Sequence, residues 1–428
     1  MTSPIIGPGM CPPAFNVPGS YAPSLSTRFW QSGAEMWRAL FETRDAYLRS
    51  AQQRGASPAD MSRDVARWLQ LTTQRERPTW ASPNRVMLET PIARLRDFTQ
   101  PGDDLDVVPA LVLPPQAGHD SCIVDYSPTQ SQMKVIRAAG LTRAYSFDWI
   151  GATQETKDSG IVDYLDVIER GIAEIGGPVN LVGDCQGGWL AAIYAALRPQ
   201  DVHTLTIAGA PIDFQAGNPV IGDWVQALDG RGDLAFYEWV VGLGGGVLKG
   251  EFILNGFIGM KPESELEKQL QLLVHLHKPD HVERYQSFEN WFKHTQDLPG
   301  AFYLWIVERL FRDNQLVAGT LEVAGERVDL GRIACPLYLL AGAEDHITPP
   351  AQVFAMADAV GTPAERIHRR STSGGHLGLF MGREALRDHW PPIMASVAEH
   401  SRRDARPEAA ERRARRLVPA PLRPIPAP

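Results

Sequence analysis

The stretch LVGDCQGGWL contains the side chain best suited to chemistry in this sequence, a cysteine. A cysteine thiolate is a strong nucleophile, and Cys185 stands between Gly183 and Gly187 in the G-x-nucleophile-x-G spacing of a nucleophile elbow. Residues 179–184 are typical of a buried strand, and residues 186–199 are typical of a helix. The pattern predicts a nucleophile at a sharp turn between strand and helix. The alternative is a buried structural cysteine beside a glycine-rich turn.

An elbow nucleophile needs an acid and a histidine, which follow it along the chain in that order. Asp345 comes just after the apolar run 335–342, and His376 lies in a glycine-rich loop. Either residue alone could be an ordinary loop residue, but the order of the three favours a catalytic triad with Cys185 as nucleophile. Asp184, directly before the cysteine, adds a carboxylate that disfavours a thiolate, so activation should depend on the histidine.

Two N–H groups should stabilise the oxyanion of an acyl-transfer intermediate. The backbone N–H of Gln186, at a helix N-terminus, is the first candidate. The second should come from the loop after the predicted strand 121–128, with Tyr126 as the candidate residue. Trp189 and His346 are predicted to line the substrate site, although a surface or capping histidine equally fits the position of His346.

The elements around these residues alternate between strands and helices. The predicted strands after the first two apolar runs (RVMLETPIARLRDF and DVVPALVLPP) are residues 121–128, 144–149, 179–184, 203–211, 335–342 and 365–376. Such alternation predicts an α/β fold with a mainly parallel sheet and helices on both faces, here over residues 84–400. The alternation fails over residues 212–330, which predicts a helical cap insertion. Its aromatic residues include Trp224, Tyr237, Trp239, Phe252 and Phe257.

The two ends of the chain differ from this pattern. Residues 1–25 and the Arg- and Pro-rich tail 401–428 are predicted to be disordered. Residues 26–80 show helical periodicity with a break at residues 55–60, which predicts an N-terminal helical region with Ser57 or Asp60 as a cap. This region either packs on the core or offers a surface to a partner chain or an apolar granule.

Composition limits the class of protein. The chain has 428 residues and a formal net charge of −8, so general binding of nucleic acid is not expected. It has no run of about 18 apolar residues and no signal-peptide pattern at its start. Its four cysteines lack metal-ligand or disulfide-framework spacing. We therefore expect a reduced, cytoplasmic protein with no transmembrane segment and no metal site.

Three segments resemble one known family. VNLVGDCQGGWLAAIYAALRPQDVHTLTIAGAPIDF resembles the lipase-box-like region of polyhydroxyalkanoate synthases, which use cysteine in place of serine. DLPGAFYLWIVERLF through AGAEDHITPP is similar to their C-terminal half, and SGGHLGLF to their catalytic-histidine loop. The resemblance implies an α/β-hydrolase fold with a cap, 3-hydroxyacyl-CoA substrates, a growing polyester chain, and a homodimer or hetero-oligomer on polymer granules. It implies no cofactor beyond the coenzyme A thioester.

The cysteine itself favours acyl transfer. A thioester donor exchanged for a cysteine thioester costs little free energy, and the acyl group stays activated for a hydroxyl acceptor. NWFKHTQDLPG and VDYSPTQSQ, however, depart from the synthase pattern near its substrate site. An intracellular polyhydroxyalkanoate depolymerase or an acyl-CoA thioesterase with the same triad is therefore the alternative. A non-catalytic granule-associated protein is a third.

Overall fold

A computed structural model describes residues 25–402 except 218, 220, 223, 224, 226, 227, 229–231 and 261. Disorder was predicted for residues 1–25 and 401–428. Residues 1–24 and 403–428 lie outside the described residues, as does Trp224, whereas residues 25, 401 and 402 are helical, so the prediction is wrong for these three. The chain divides into two compact units, one of Met1–Trp68 with Lys261–His277 and one of Leu69–Met260 with Lys278–Pro428. Part of the segment predicted as the cap, Lys261–His277, thus groups with the N-terminal residues.

The helices include a long pair at the N-terminus, a set that flanks the sheet, and a set within residues 235–318. They are α1 (Leu25–Gln53), α2 (Pro58–Thr73), α3 (Gln132–Ala138), α4 (Ile161–Ile175), α5 (Gln186–Leu197), α6 (Ala235–Leu243), α7 (Gly250–Met260), α8 (Pro262–His275), α9 (Pro279–Phe292), α10 (Gly300–Trp305), α11 (Gln315–Ala318), α12 (Pro350–Phe354), α13 (Met356–Ala359), α14 (Gly378–Met381) and α15 (383–402). Two stretches have π-helical geometry, Ile306–Arg312 and Ala385–His389.

A central sheet of eight strands organises the second unit. The strands are β1 (Arg85–Glu89), β2 (Ala93–Asp97), β3 (Ala110–Leu113), β4 (Ala144–Trp149), β5 (Val179–Asp184), β6 (Val202–Ala208), β7 (Leu337–Gly342) and β8 (Ile367–Thr372). Their order is β1-β2-β4-β3-β5-β6-β7-β8. β2 runs antiparallel to both neighbours, and the pairs from β4 to β8 are parallel. This arrangement confirms the predicted α/β-hydrolase fold.

The sheet is apolar on both faces, as a sheet covered by helices must be. In β3, Leu111 belongs to one buried cluster and Val112 to the other. Leu181 and Val182 divide in the same way in β5. This alternation follows from the two-residue period of a strand. Because the parallel strands run in one direction, β5, β7 and β8 end at the same edge. The loops that carry the predicted triad therefore begin side by side.

One predicted strand is wrong. Residues 121–128 form a 3₁₀ turn over Ser121–Val124, followed by a three-residue strand, Asp125–Ser127, that pairs with Gln130–Ser131 outside the main sheet. The side chain of Asp120 accepts a hydrogen bond from the N–H of Cys122 at 3.0 Å. This local bond stabilises a turn where the apolar residues alone indicate a strand.

The described residues of the first unit are mainly helical. Ser57 precedes α2 and forms the reciprocal pair of a capping box. Its Oγ accepts from the N–H of Asp60 at 3.3 Å, while the carboxylate of Asp60 accepts from its N–H at 2.8 Å. Trp68 on α2 donates its indole N–H to the carbonyl of Gln269 on α8 at 2.8 Å. Among the described residues, no helix has the length and apolar character needed to cross a membrane.

Candidate active site

A strained turn joins β5 to α5. Cys185 has φ 50° and ψ −118°, a conformation that non-glycine residues rarely adopt. A Cβ at Gly183 would lie 2.5 Å from the carbonyl oxygen of Gly187, and one at Gly187 would lie 1.9 Å from the carbonyl oxygen of Leu113. Both contacts involve backbone, in the first turn of α5 and at the end of β3, that cannot move away without disturbing those elements. Glycine is therefore required on both sides of the cysteine, and the tight turn presents Cys185 at the sheet edge.

The structure brings together the three residues of the predicted triad. The Nε2 atom of His376 lies 3.0 Å from the Sγ atom of Cys185, and its Nδ1 atom lies 2.7 Å from Oδ2 of Asp345. The other carboxylate oxygen of Asp345 accepts from the N–H groups of Ile347 and Thr348 at 2.9 and 2.8 Å. The loop thus fixes the carboxylate, which in turn can orient the imidazole toward the sulfur.

The surroundings of His376 favour its protonated form. Burial alone lowers the pKa of this imidazole, but the charges of Cys185 and Asp345 and the hydrogen bonds to both raise it well above its usual value. An imidazolium 3.0 Å from the sulfur stabilises a thiolate there. The three side chains can therefore hold a thiolate–imidazolium pair ready to attack a carbonyl carbon.

Asp184 was expected to place a negative charge beside Cys185, and its burial opposes that charge. This side chain is fully buried, and burial raises its pKa to about 8 despite a hydrogen bond from Gln132. Its Oδ1 accepts from the Gln132 amide at 3.3 Å, and its Oδ2 has no hydrogen-bond partner among the described residues. At pH 7 the group is therefore mostly neutral. A mostly neutral acid places little negative charge beside Cys185, so the predicted penalty on a thiolate is weakened.

Replacing Asp184 by asparagine should change how stability depends on pH. The unfolded chain ionises this carboxyl above about pH 4, whereas the native chain keeps it protonated up to about pH 8. Since the native state binds the extra proton in this window, Asp184 makes stability fall as the pH rises. Relative to the parent, Asp184→Asn should gain roughly 3 kcal/mol in unfolding free energy between pH 5 and pH 8. Urea unfolding of both proteins at pH 5 and pH 8 measures this gain. A difference in unfolding free energy that is the same at both pH values contradicts the prediction.

A cavity of about 600 Å³ opens beside the sulfur. Its wall contains Cys185, Gln186 and His376 together with side chains that are almost all apolar. None of the described residues that line it is Asp, Glu, Lys or Arg. The rest of the wall comes from the segment predicted as a cap and from loops at the sheet edge, and it includes Ala117, Trp189, Ile221, Val225, Leu228, Phe236, Tyr237, Trp239, Val240, Leu243, Leu248, Phe252, Ile253, Phe257, Leu298, Tyr303, Ile306, Phe311, Ile347, Thr348 and Gln352.

The other predicted site residues divide into two groups. Gln186 and Trp189 line the cavity, and Gln186 is the first residue of α5, where N–H groups lack intrahelical partners. Tyr126 and His346 are not part of the wall. Tyr126 lies on the short strand Asp125–Ser127, because the segment taken for the sheet strand is a turn. His346 does not line the cavity, but the next two residues, Ile347 and Thr348, do.

Sequence reasoning missed Ala117. The strand next to β5 is β3, so the loop that approaches the elbow begins at Pro114 rather than after residue 127. Ala117 in that loop lines the cavity with Cys185, and its N–H is the better candidate for the second oxyanion donor. The signal was available in ALVLPPQAG, where a short apolar run ends at two prolines.

The family described as "Protein of unknown function (DUF3141)" matches residues 88–391, more than half of the chain. A relative from Allochromatium vinosum, "Poly(3-hydroxyalkanoate) polymerase subunit PhaC", is 28% identical over 63% of this chain and 75% of its own length. The protein of the same name from Haloferax mediterranei is 27% identical over 75% of this chain and 64% of its own length, which is less than two thirds. These relatives confirm the resemblance to polyhydroxyalkanoate synthases.

Two further proteins are similar to this chain. An "Uncharacterized protein in ackA 5'region" from Rhizobium meliloti is 27% identical over 68% of this chain and 41% of its own length. Among solved structures, a putative lipase from Acinetobacter baumannii AYE has a TM-score of 0.43 at 13% identity, with 78% of this chain and 96% of that chain covered.

Proposed function

The chain belongs to the DUF3141 family, and from this premise and its similarity to poly(3-hydroxyalkanoate) polymerases we propose that it is an acyltransferase that polymerises 3-hydroxyacyl-CoA. The observation that carries the proposal is the chain of contacts from Asp345 through His376 to Cys185, at 2.7 and 3.0 Å. The three residues act as orienting acid, base and nucleophile. The proposal requires no group beyond the coenzyme A thioester.

The first step transfers the acyl group to the protein. The thiolate of Cys185 attacks the thioester carbonyl carbon, and the N–H groups of Gln186 and Ala117 stabilise the oxyanion. A bond forms between that carbon and Sγ, and the bond to the coenzyme A sulfur breaks. His376 gives its proton to the departing sulfur, so coenzyme A leaves as a thiol. The acyl group now forms a thioester with the protein.

The second step makes the ester bond. The hydroxyl of a 3-hydroxyacyl acceptor attacks the same carbonyl carbon, and His376, now neutral, takes the hydroxyl proton. The new carbon–oxygen bond forms as the bond to Sγ breaks, which restores the thiolate–imidazolium pair. Asp345 holds the ring in the orientation that both steps need.

The apolar cavity supports transfer over hydrolysis. Its wall offers few polar side chains beyond those of the triad, and one of them, Gln352, already donates its amide to the carbonyl of Phe214 at 2.8 Å. A wall of this kind binds an apolar acceptor and holds ordered water poorly. Under this proposal we also expect the protein to form a dimer or hetero-oligomer and to act at the surface of an insoluble polyester granule.

The test is a product analysis. Purified protein receives 3-hydroxybutyryl-CoA or 3-hydroxyoctanoyl-CoA, free thiol is followed with a colorimetric reagent, and the acyl products are weighed by mass spectrometry. Thiol release with oligomeric esters is the expected result. Thiol release with only the free hydroxy acid overturns the transferase proposal in favour of a thioesterase. Without thiol release, hydrolysis of amorphous polyester would identify a depolymerase, and inactivity there too would favour a non-catalytic role.

A further inference from the structure

The cavity has an inner part and an exposed rim. Near Cys185 the wall is buried, with Trp189 only 2% exposed and His376 only 6% exposed. Farther along, five large apolar side chains line the same cavity and are also open to solvent. These rim residues are Leu228, Phe236, Trp239, Leu243 and Phe252.

The rim exposes a cluster of large apolar side chains to solvent. Trp239 and Leu243 are each 59% exposed, and both lie on α6. Apolar residues scattered singly on a surface need no explanation, but a cluster continuous with a binding cavity marks a place where apolar matter binds. Since the rim and Cys185 line the same cavity, an apolar group held at the sulfur can extend to the rim.

The volume indicates how long that molecule is. An atom group the size of a water fills about 30 Å³, so the six heavy atoms of a 3-hydroxybutyryl group occupy roughly 180 Å³. The cavity of about 600 Å³ leaves most of its space empty around such a group. The absence of Asp, Glu, Lys and Arg from its described wall excludes an ionised acyl end and the coenzyme A phosphates as the filling.

We propose that this cavity selects 3-hydroxyacyl thioesters whose acyl groups are longer than four carbons over the four-carbon thioester. The inference rests on the proposed function for its reaction and on the cavity for its chain length. The carbonyl carbon lies at Cys185, the alkyl chain follows the wall past Trp189, and its end lies against Trp239 and Leu243 at the rim.

The experiment measures kcat/KM for coenzyme A release from the 3-hydroxy thioesters of four, six, eight, ten and twelve carbons. Each added methylene that leaves water should raise kcat/KM by up to about fourfold. From four to ten carbons the total increase should be at least about 30-fold, because burial at an open rim is partial. In Trp239→Ala and Leu243→Ala, the ratio of kcat/KM for ten carbons to that for four should fall at least about fivefold.

Matched controls separate the rim from general surface effects. Trp37 is 65% exposed and Leu105 is 60% exposed, and neither lines the cavity. Trp37→Ala and Leu105→Ala should leave the ratio unchanged. Circular dichroism and thermal unfolding of all four variants show that each is folded before its kinetics are interpreted.

Binding makes the inference testable without turnover. Calorimetric titration of Cys185→Ala with butyryl-CoA and decanoyl-CoA should give a dissociation constant at least about tenfold lower for the longer thioester. A flat or falling length profile with Cys185-dependent thiol release overturns the inference and leaves the proposed function standing. Length-dependent binding with no thiol release overturns the function and leaves the chain-length inference. A rising profile that the rim variants do not change overturns the assignment of the rim.

Discussion

Cys185→Ala is expected to abolish coenzyme A release from 3-hydroxyacyl thioesters, with kcat reduced at least about 10⁴-fold. Without Sγ no acyl-protein bond can form, and His376 loses the group 3.0 Å from its Nε2 atom. Any remaining rate comes from substrate binding and the oxyanion donors. Stopped-flow thiol detection measures the effect, and mass spectrometry of the intact protein should find the acyl adduct only in the parent.

Cys185→Ser separates nucleophilicity from geometry. A hydroxyl fits the strained turn, but it is far less acidic than a thiol, so His376 must remove its proton during the attack. The acyl group then becomes an ester, which a hydroxyl acceptor attacks more slowly than a thioester. We expect slow thiol release and almost no oligomer. Parental oligomer yield from Cys185→Ser would contradict the assigned role of the sulfur.

The other cysteines provide the control. Burial raises the pKa of Cys335 to about 11, and burial and nearby carboxylates raise that of Cys122 far above its usual range. Neither forms much thiolate at pH 7. Iodoacetamide should therefore modify Cys185 ahead of both, and acyl-CoA present during the reaction should protect it. Peptide mapping resolves each site, including Cys11, which lies outside the described residues. Cys335→Ala should retain parental kinetics.

The elements around the triad could be predicted because their signals are local. β5 and α5 follow from an apolar run, two glycines and a second apolar run, and the tight contacts of Gly183 and Gly187 require that spacing. Asp345 and His376 were found because each follows a strand in a sheet with parallel order. Residues that follow neighbouring parallel strands lie close together at one edge of the sheet, even when they are far apart along the chain.

Other features of the site depend on which strands pair and on which side chains are buried, and a local sequence pattern does not determine either. The strand beside β5 is β3. The two prolines after ALVL indicate where β3 ends, but the apolar residues 121–124 still favour a further sheet strand, and the turn there depends on the hydrogen bond to Asp120. That error placed the candidate for the second oxyanion donor at Tyr126 rather than at Ala117, which lines the cavity. The neutral state of Asp184 was also missed, because complete burial, rather than residue type, raises its pKa.

Asp345→Asn is expected to cause the second large loss of kcat, because the Asp345 carboxylate contacts both His376 and the loop backbone. Its Oδ2 accepts from Nδ1 of His376 at 2.7 Å, whereas its Oδ1 accepts from backbone N–H groups of the loop. Asparagine keeps one oxygen, which the loop N–H groups retain, and so an NH₂ group faces the imidazole. That group forces the wrong tautomer on His376. By analogy with other triads, kcat should fall about 10³- to 10⁴-fold with little change in folding.

The pH profile of Asp345→Asn distinguishes this role from simple loss of structure. The charge of Asp345 is one of the causes that hold the pKa of His376 above its usual value, so its removal lowers that pKa. Without a stable imidazolium, the thiolate must form by losing its proton to solvent, which becomes easier as pH rises. The rate of the variant should therefore increase steadily from pH 6 to pH 9, while the parental rate stays flatter over that range.

Asp358→Asn is the matched control, since its carboxylate is 89% exposed and lies 3.6 Å from Arg369 at the surface. It should keep the parental rate and pH profile. If Asp345→Asn also retains a rate within about tenfold of the parent, the carboxylate does not orient the imidazole during the reaction. The 2.7 Å contact is then structural, and the working machinery reduces to Cys185 and His376 alone.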